Sequence, residues 1–248
     1  MAIPEHEGPP ELYYNEVRSQ NYDNNSRINY EQRRLTEKCI ELLECNDNKG
    51  LILDIGCGSG ISGDVLSKKN LSWIGVDISK EMLEINKDRN ECNNKCIDTI
   101  LLDMGEGLNF KPGTFSYVIS VSAFQWLFFS NKKTEDPIRR IKIFFQTIFR
   151  LLKRGGKAVI QFYPKDQKQL ELAKKISASE GFSGGIVEDG KGNHKKYYIV
   201  LETIKKTNKT KVKKVQTKRE YIMLKKEIYR RRGKEVPKDS KYSGRRRK

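Results

Sequence analysis

Short apolar runs alternate along this chain with stretches whose apolar residues recur every three to four positions. LILDIG at 51–56, Trp73–Asp77, Cys96–Asp103, Phe115–Ser122 and Gly156–Tyr163 are the apolar runs. Each is short enough for a buried strand and closes on a polar or glycine-rich break. Between Ile28 and Glu44 the spacing is helical, with Leu35, Cys39, Leu42 and Leu43 on one side. Helical patterns also cover Lys80–Arg89, Pro137–Leu152 and Gln167–Ser177, and Asp136-Pro137 reads as an N-cap with proline at the first helical position. Strands alternating with helices predict an α/β fold, a mostly parallel sheet with helices on both faces. The end of the pattern differs. GFSGGIVED and KKYYIVLET are joined by Gly190–Asn193, which predicts a C-terminal antiparallel hairpin and a domain that closes near Ile204. The expected organisation is an amino-terminal extension over 1–30, a core domain over 31–204 and a tail over 205–248.

Charge separates that tail from the rest. The net charge is +17, yet residues 205–248 hold 20 Lys and Arg against 4 Asp and Glu, leaving 29 against 28 in residues 1–204. Such a segment repels itself and is expected to stay extended until a polyanion condenses it. It suits a solvated or nuclear-import tail, or one that binds nucleic acid by releasing counterions from phosphates. Hydrophobic residues make up 36% of the chain, and no run approaches the roughly 18 apolar residues that cross a bilayer, so no transmembrane span is expected. A membrane surface is the weaker partner for the tail, because Tyr221–Arg232 has apolar residues but no wide apolar face, and no membrane partner is expected. The first residues lack the apolar segment of a secretory signal. Five cysteines, an odd number, fit a reduced intracellular chain. Cys92 and Cys96 are separated by three residues with no histidine close behind, so no metal site is expected.

The candidate chemistry lies at the ends of the first three strands. In LILDIGCGSG, Asp54 precedes glycines 56, 58 and 60, with Cys57 in the turn. Glycines let the backbone turn sharply and approach a ligand, and the following helix aims its N-terminus at it. A dinucleotide fingerprint places its third glycine at position 61, which is Ile61 here. The spacing suits a ligand with an amino-acid tail instead. Asp77, followed by Ile78, ends the second strand where a carboxylate accepts ribose hydroxyls. Asp103 ends the third, where it accepts from an exocyclic amine while Met104 lies on a purine. An aspartate at a strand end is also a common helix cap. Three such ends in succession point to S-adenosylmethionine along the carboxyl edge of the sheet, with Ser120 of the fourth strand as a further candidate contact.

The stretches PEHEGPPELYYNE, LDIGCGSGISG, WIGVDIS, DMGEGLNFKPGTF, ISVSAFQWL, QFYP, GFSGG and the terminal YRRRGKEVPKDSKYSGRRRK carry a resemblance over nearly the whole chain. The chain resembles the eukaryotic 18S ribosomal RNA (guanine-N7) methyltransferases of small-subunit biogenesis, within the Rossmann-like class I S-adenosylmethionine-dependent enzymes. DIGCGSG is shared by many methyltransferases; FQWL, GFSGG and the tail are the selective parts. The linker around Lys205–Thr217 is shorter than that family usually shows. The resemblance implies a seven-stranded sheet and methyl transfer to N7 of a guanine in 18S ribosomal RNA. It also implies residence in the nucleus, nucleolus and cytoplasm. Its partners would be the pre-ribosome and a small zinc-binding activator docked along an edge strand at Ile97–Leu102.

The residues agree with that acceptor. N7 is already a lone-pair nucleophile and needs no general base, and the two histidines, His6 and His194, lie outside the motifs. Cytosine-C5 transfer needs a cysteine nucleophile, whose usual Pro-Cys pair is absent. Adenine-N6 transfer expects an Asn/Asp-Pro-Pro-aromatic turn after the fourth strand, where this chain has Ser122-Ala123-Phe124-Gln125-Trp126. The target base must be unstacked to be reached. Phe124, Trp126, Phe162, Tyr163 and Pro164 are the candidates to hold it; the alternative makes Phe124, and less readily Trp126, core residues of a short helix. Tyr13, Tyr14, Tyr22 and Arg27 would fold over the cofactor as a lid. An assembly factor whose methyl transfer is secondary, or a small-molecule methyltransferase, are the alternatives.

Overall fold

The computed structural model describes residues 4–45, 50–91, 95–130, 136–192, 195–203, 218–231 and 233–240. Seven strands form one sheet: β1 (Ile52–Ile55), β2 (Trp73–Asp77), β3 (Cys96–Leu101), β4 (Phe115–Val121), β5 (Leu152–Phe162), β6 (Phe182–Asp189) and β7 (Lys196–Thr203). Their spatial order is β3-β2-β1-β4-β5-β7-β6. The pairs among β1 to β5 are parallel, whereas β7 runs antiparallel to both β5 and β6. The expected hairpin is present, and its second strand inserts beside β5. β3 is one edge of the sheet. β5 starts at Leu152, earlier than its apolar run, and its pairing with β4 shifts register between Leu152 opposite Phe115 and Lys157 opposite Tyr117.

Helices α1 (Pro10–Tyr13), α2 (Glu16–Asn24), α3 (Ser26–Leu43), α4 (Ile61–Lys68), α5 (Lys80–Asn90), α6 (Pro137–Leu151) and α7 (Gln167–Ser179) complete this unit. The cap residues Asn15, Asn25, Ser79, Asp136 and Asp166 start α2, α3, α5, α6 and α7 by accepting a backbone N–H in the first turn. Each such cap is worth about 1 kcal/mol. α3 begins at Ser26 and runs straight through residue 30, so the expected boundary there falls inside a helix.

Strand alternation divides the core. Leu53, Ile55, Val118, Ile160 and Phe162 face α6 and α7, packing with Phe144, Phe145, Ile148 and Leu170. Ile52, Ile119, Val159 and Tyr198 face the other way, onto Leu35, Cys39 and Leu43 of α3 and Leu66 of α4. Trp73 sets the distance of α4 from the sheet. Its indole is fully buried, donates to Ser67 Oγ at 2.9 Å, and lies so close to Gly63 that a Cβ there would stand 2.1 Å from the ring.

Residues 206–248 form a second compact unit. The expectation of an extended tail over 205–248 is corrected for Lys218–Arg231, which form helix α8; residues 205–217, 232 and 241–248 lie outside the described residues. Asp239 accepts from Arg230 at 2.8 Å and lies 3.3 Å from Lys226, while Lys226 also donates to the Lys238 carbonyl. One carboxylate therefore relieves two cations of this segment. No helix among the described residues is long and apolar enough to cross a membrane.

Candidate functional site

The carboxyl ends of β1, β2, β3 and β4 open into one cleft. Its floor is the turn after β1. Gly56, Gly58 and Gly60 hold φ of +76°, +49° and +83°, a region that favours glycine. The glycines differ in purpose. A Cβ on Gly56 would collide with Ala123 at 2.2 Å, and one on Gly60 would meet Asn86 at 2.7 Å. A Cβ on Gly58 would meet no protein atom within 4 Å and would stand in the cleft itself. That open space leaves the backbone accessible from the cleft.

Asp77 closes the turn from above. Its Oδ2 accepts from Gly58 N at 2.8 Å and its Oδ1 from Ser79 N at 2.9 Å. Burial nonetheless pushes its carboxyl above the ordinary value, against the lowering by these N–H groups. Asp54 sits beneath the turn, fully buried, and accepts from Ser62 Oγ at 2.5 Å. Its Oδ1 is buried without a hydrogen-bond partner. Burial raises its carboxyl to about 7, the Ser62 bond opposes this, and the Asp77 charge adds to it. At the third strand end, Asp103 Oδ1 accepts from Gly105 N at 2.7 Å, and Arg140 Nη2 spans both carboxylate oxygens at 2.9 and 3.0 Å.

Of the expected cofactor contacts, Gly56, Cys57, Gly58, Asp77, Ile78, Asp103 and Met104 line the cleft together. Asp54 and Gly60 lie behind the turn and support it. Ser120 is fully buried in β4, and the cleft wall there is Val121, Ser122 and Ala123. Of the expected base-holding residues, Trp126 lines the cleft. Phe124, on the same short 3₁₀ turn over Phe124–Phe128, is fully buried among Phe144, Phe145 and Phe162. Tyr163 is 41% exposed outside the cleft, under the ammonium of Lys196 at 4.8 Å, followed by Pro164.

The amino-terminal segment covers the cleft. Tyr14 and Tyr22 line it, and Tyr13 and Tyr14 pack against Trp126. Burial drives both the Tyr14 and Tyr22 phenols upward, so they stay neutral. The segment is fastened at two points: the Tyr14 carbonyl accepts from Ser79 Oγ at 3.2 Å, and Asp23 pairs with Arg89, which also donates to the Ser59 carbonyl in the glycine turn. Arg27 lies outside the cleft.

Three groups escaped the sequence reading. Arg140 is 37 residues from Asp103 and carries no local signal of the pair. Gln161 holds Ser122, a non-glycine residue at φ +56°, through its N–H and its hydroxyl, both at 2.9 Å. Gln32 of α3 donates to the same hydroxyl at 3.1 Å. A polar residue inside the apolar run of β5 was the available clue to Gln161. Cys92 and His194 lie outside the described residues, among which no cluster of potential metal ligands occurs.

The site combines an open backbone cradle at Gly58 with the carboxylates of Asp77 and Asp103 on one cleft. The unpartnered Oδ1 of buried Asp54 lies beneath the cradle. Residues 53–160 match a family model described as a methyltransferase domain, and residues 165–248 match one described as a methyltransferase involved in Williams-Beuren syndrome. Curated relatives span the full chain. The 18S rRNA (guanine-N7)-methyltransferase of Schizosaccharomyces pombe is 43% identical, over 100% of this chain and 99% of its own. That of Mus musculus is 39% identical over 99% and 96%. The 18S rRNA guanine-N7 enzyme of Saccharomyces cerevisiae is 37% identical over 100% and 99%. Among solved structures, magnesium protoporphyrin IX methyltransferase of Synechocystis, with bound S-adenosylmethionine, gives a TM-score of 0.60 at 17% identity, covering 82% of this chain and 98% of that one. Phosphoethanolamine N-methyltransferase 2 of Haemonchus contortus gives 0.60 at 18%, covering 77% and 58%. These two likenesses establish the Rossmann-like fold.

Proposed function

We infer the activity from membership: the chain belongs to the 18S rRNA (guanine-N7)-methyltransferase family, and it transfers a methyl group from S-adenosylmethionine to N7 of a guanine in small-subunit ribosomal RNA. The observation that carries this reading is the convergence of Gly58, Asp77 and Asp103, from three successive strand ends, on one cleft walled by Trp126.

S-adenosylmethionine supplies a methyl group on a sulfonium, open to in-line displacement by a nucleophile. The work left to the protein is alignment. The Gly56–Gly58 backbone receives the amino-acid end. Asp77 keeps acceptor capacity on its two oxygens for ribose hydroxyls, its orientation set by Gly58 N and Ser79 N. Asp103 accepts from the adenine amine, with Met104 and Ile78 against the ring. Trp126 bounds the acceptor side, Tyr163 stands at the rim, and Tyr14 and Tyr22 exclude water from above. The N7 lone pair attacks with no prior proton removal, so a wall of aromatic rings and neutral phenols serves where a general base is not required.

A second subunit completes the reading. β3 is an edge strand, with Ile97 58% and Leu101 53% exposed. Its free backbone and alternate apolar side chains suit strand addition by a small zinc-binding activator. A nucleolar site of action follows from a substrate made there.

The test replaces the chain in cells with Asp77→Ala and measures 7-methylguanosine in small-subunit ribosomal RNA by mass spectrometry. The modification is expected to be present with the unaltered chain and lost with the variant. Persistence in cells carrying the variant overturns the assignment of Asp77, and persistence in cells lacking the chain overturns the activity.

A further inference from the structure

A second concavity lies beside the cleft, lined by Arg27, Tyr30, Glu31, Arg34 and Lys196. Positions 27, 30, 31 and 34 recur at helical spacing along α3, so one face of that helix forms most of the cup. Lys196, the first residue of β7, supplies the far wall. Three cations surround one carboxylate: Glu31 accepts from Lys196 at 2.9 Å and lies 3.9 Å from Arg34. The hydrogen bond to Lys196 holds the Glu31 carboxyl below its ordinary value, and the field of Arg27 adds to this. Two positive charges remain in excess. Both arginines are exposed, as is Tyr30 at 67%.

The position of the cup gives this excess a purpose. Gln32, the neighbour of Glu31 on α3, lines the cofactor cleft and bonds Ser122. Lys196 stands over the Tyr163 ring and lies 3.4 Å from its hydroxyl. The cup thus touches the cleft through one turn of α3 and touches the exposed Tyr163 through Lys196. A guanine entering the cleft must be drawn out of its stack, and its strand must continue past the rim. Exposed tyrosines interleaved with cations are what a single-stranded backbone requires: rings for the bases and forked donors for the phosphates.

We propose that Arg27, Arg34 and Lys196 form a subsite for the phosphodiester backbone of the RNA strand adjoining the target guanine. The proposal rests on RNA being the substrate. The subsite holds the flanking strand by charge, without reading sequence. The subsite lies on α3, beside the cofactor cleft that Gln32 of the same helix lines.

The test compares the full-length chain with its Arg27→Gln/Arg34→Gln variant, tail intact in both. Affinity for a single-stranded segment of small-subunit ribosomal RNA is read by filter binding across a salt series. Each lost phosphate contact on a single strand lowers the salt slope by roughly 0.7, so the pair is expected to lower it by about 1.4. Binding at physiological salt should weaken about tenfold. Affinity for S-adenosylhomocysteine, read by calorimetry, should not change. The charge-preserving variant Arg27→Lys/Arg34→Lys should recover most of the slope. An unchanged slope overturns the proposal; so does a loss that lysine does not restore, or one matched by an equal loss of S-adenosylhomocysteine affinity. Because binding is read without methyl transfer, a chain that binds RNA but leaves it unmethylated counts against the activity alone.

Discussion

The guanidinium of Arg140 bridges both carboxylate oxygens of Asp103, at 2.9 and 3.0 Å, and lies flat on Gly105, where a Cβ would stand 2.4 Å from Nε. An α6 side chain therefore sets the rotamer of the carboxylate assigned to the adenine amine, and the missing side chain of Gly105 makes room for it. Charge-assisted bonds of this kind are worth about 1.5–3 kcal/mol. Arg140→Gln is expected to weaken S-adenosylhomocysteine binding by roughly tenfold or more. It should also reduce discrimination against the hypoxanthine analogue, which lacks the amine. Gly105→Ala should reproduce the effect by displacing the guanidinium. Calorimetry with both ligands checks this; retained discrimination in Arg140→Gln would show that the pair only braces the fold.

Asp54 makes stability depend on pH. Burial lifts its carboxyl to about 7, against about 3.9 in an unfolded chain. Between those values the folded chain holds a proton that the unfolded chain has released. Stability falls as pH rises through that window, at about 1.4 kcal/mol per pH unit, and this contribution levels off above about pH 7. Asp54→Asn cannot titrate. Urea midpoints at about pH 5 and about pH 8 should show the wild type losing ground to the variant at the higher pH. A difference that stays constant between the two conditions refutes the shift.

Two aromatics of one 3₁₀ turn should separate by phenotype. Phe124 is packed by four rings, and Phe124→Ala is expected to cost about 3–5 kcal/mol of stability. Trp126 lines the cleft against Tyr13 and Tyr14. Trp126→Ala should cost less stability yet lower the methyl-transfer rate about tenfold or more. Thermal melts set beside methyl-transfer assays decide between these roles.

The edge at β3 should make the isolated chain aggregation-prone, because Ile97 and Leu101 border an unpaired backbone. Ile97→Lys/Leu101→Lys is expected to keep the single chain dispersed and to abolish co-purification with a zinc-binding activator. Light scattering of the wild-type chain alone is the critical measurement, and a monodisperse single chain would count against an obligate partner there.

Local information carried far in this protein. The alternation of apolar runs with helical spacings determined the parallel sheet, because burial on both faces leaves a continuous apolar run and burial on one side leaves a stripe. The glycines at 56, 58 and 60 and the aspartates at 77 and 103 were readable because each acts within a few residues of its own strand end. The excess charge of the tail was equally plain, being a sum along the chain.

What only the tertiary structure decided are pairings between residues distant along the chain. Nothing near Arg140 announces Asp103, and nothing near Lys196 announces Glu31 or Tyr163; packing of α6 and α3 against the sheet brings them together. Phe124 and Trp126 sit two residues apart with the same apolar character, and only the turn's direction sends one into the core and the other into the cleft. The helix in the basic tail belongs here too, since Asp239 relieves Lys226 and Arg230 only once the chain has folded back. Sequence records which side chains must leave water and where the backbone can bend. Which groups then meet is a property of the packed solid, where a contact depends on the placement of every element between its partners.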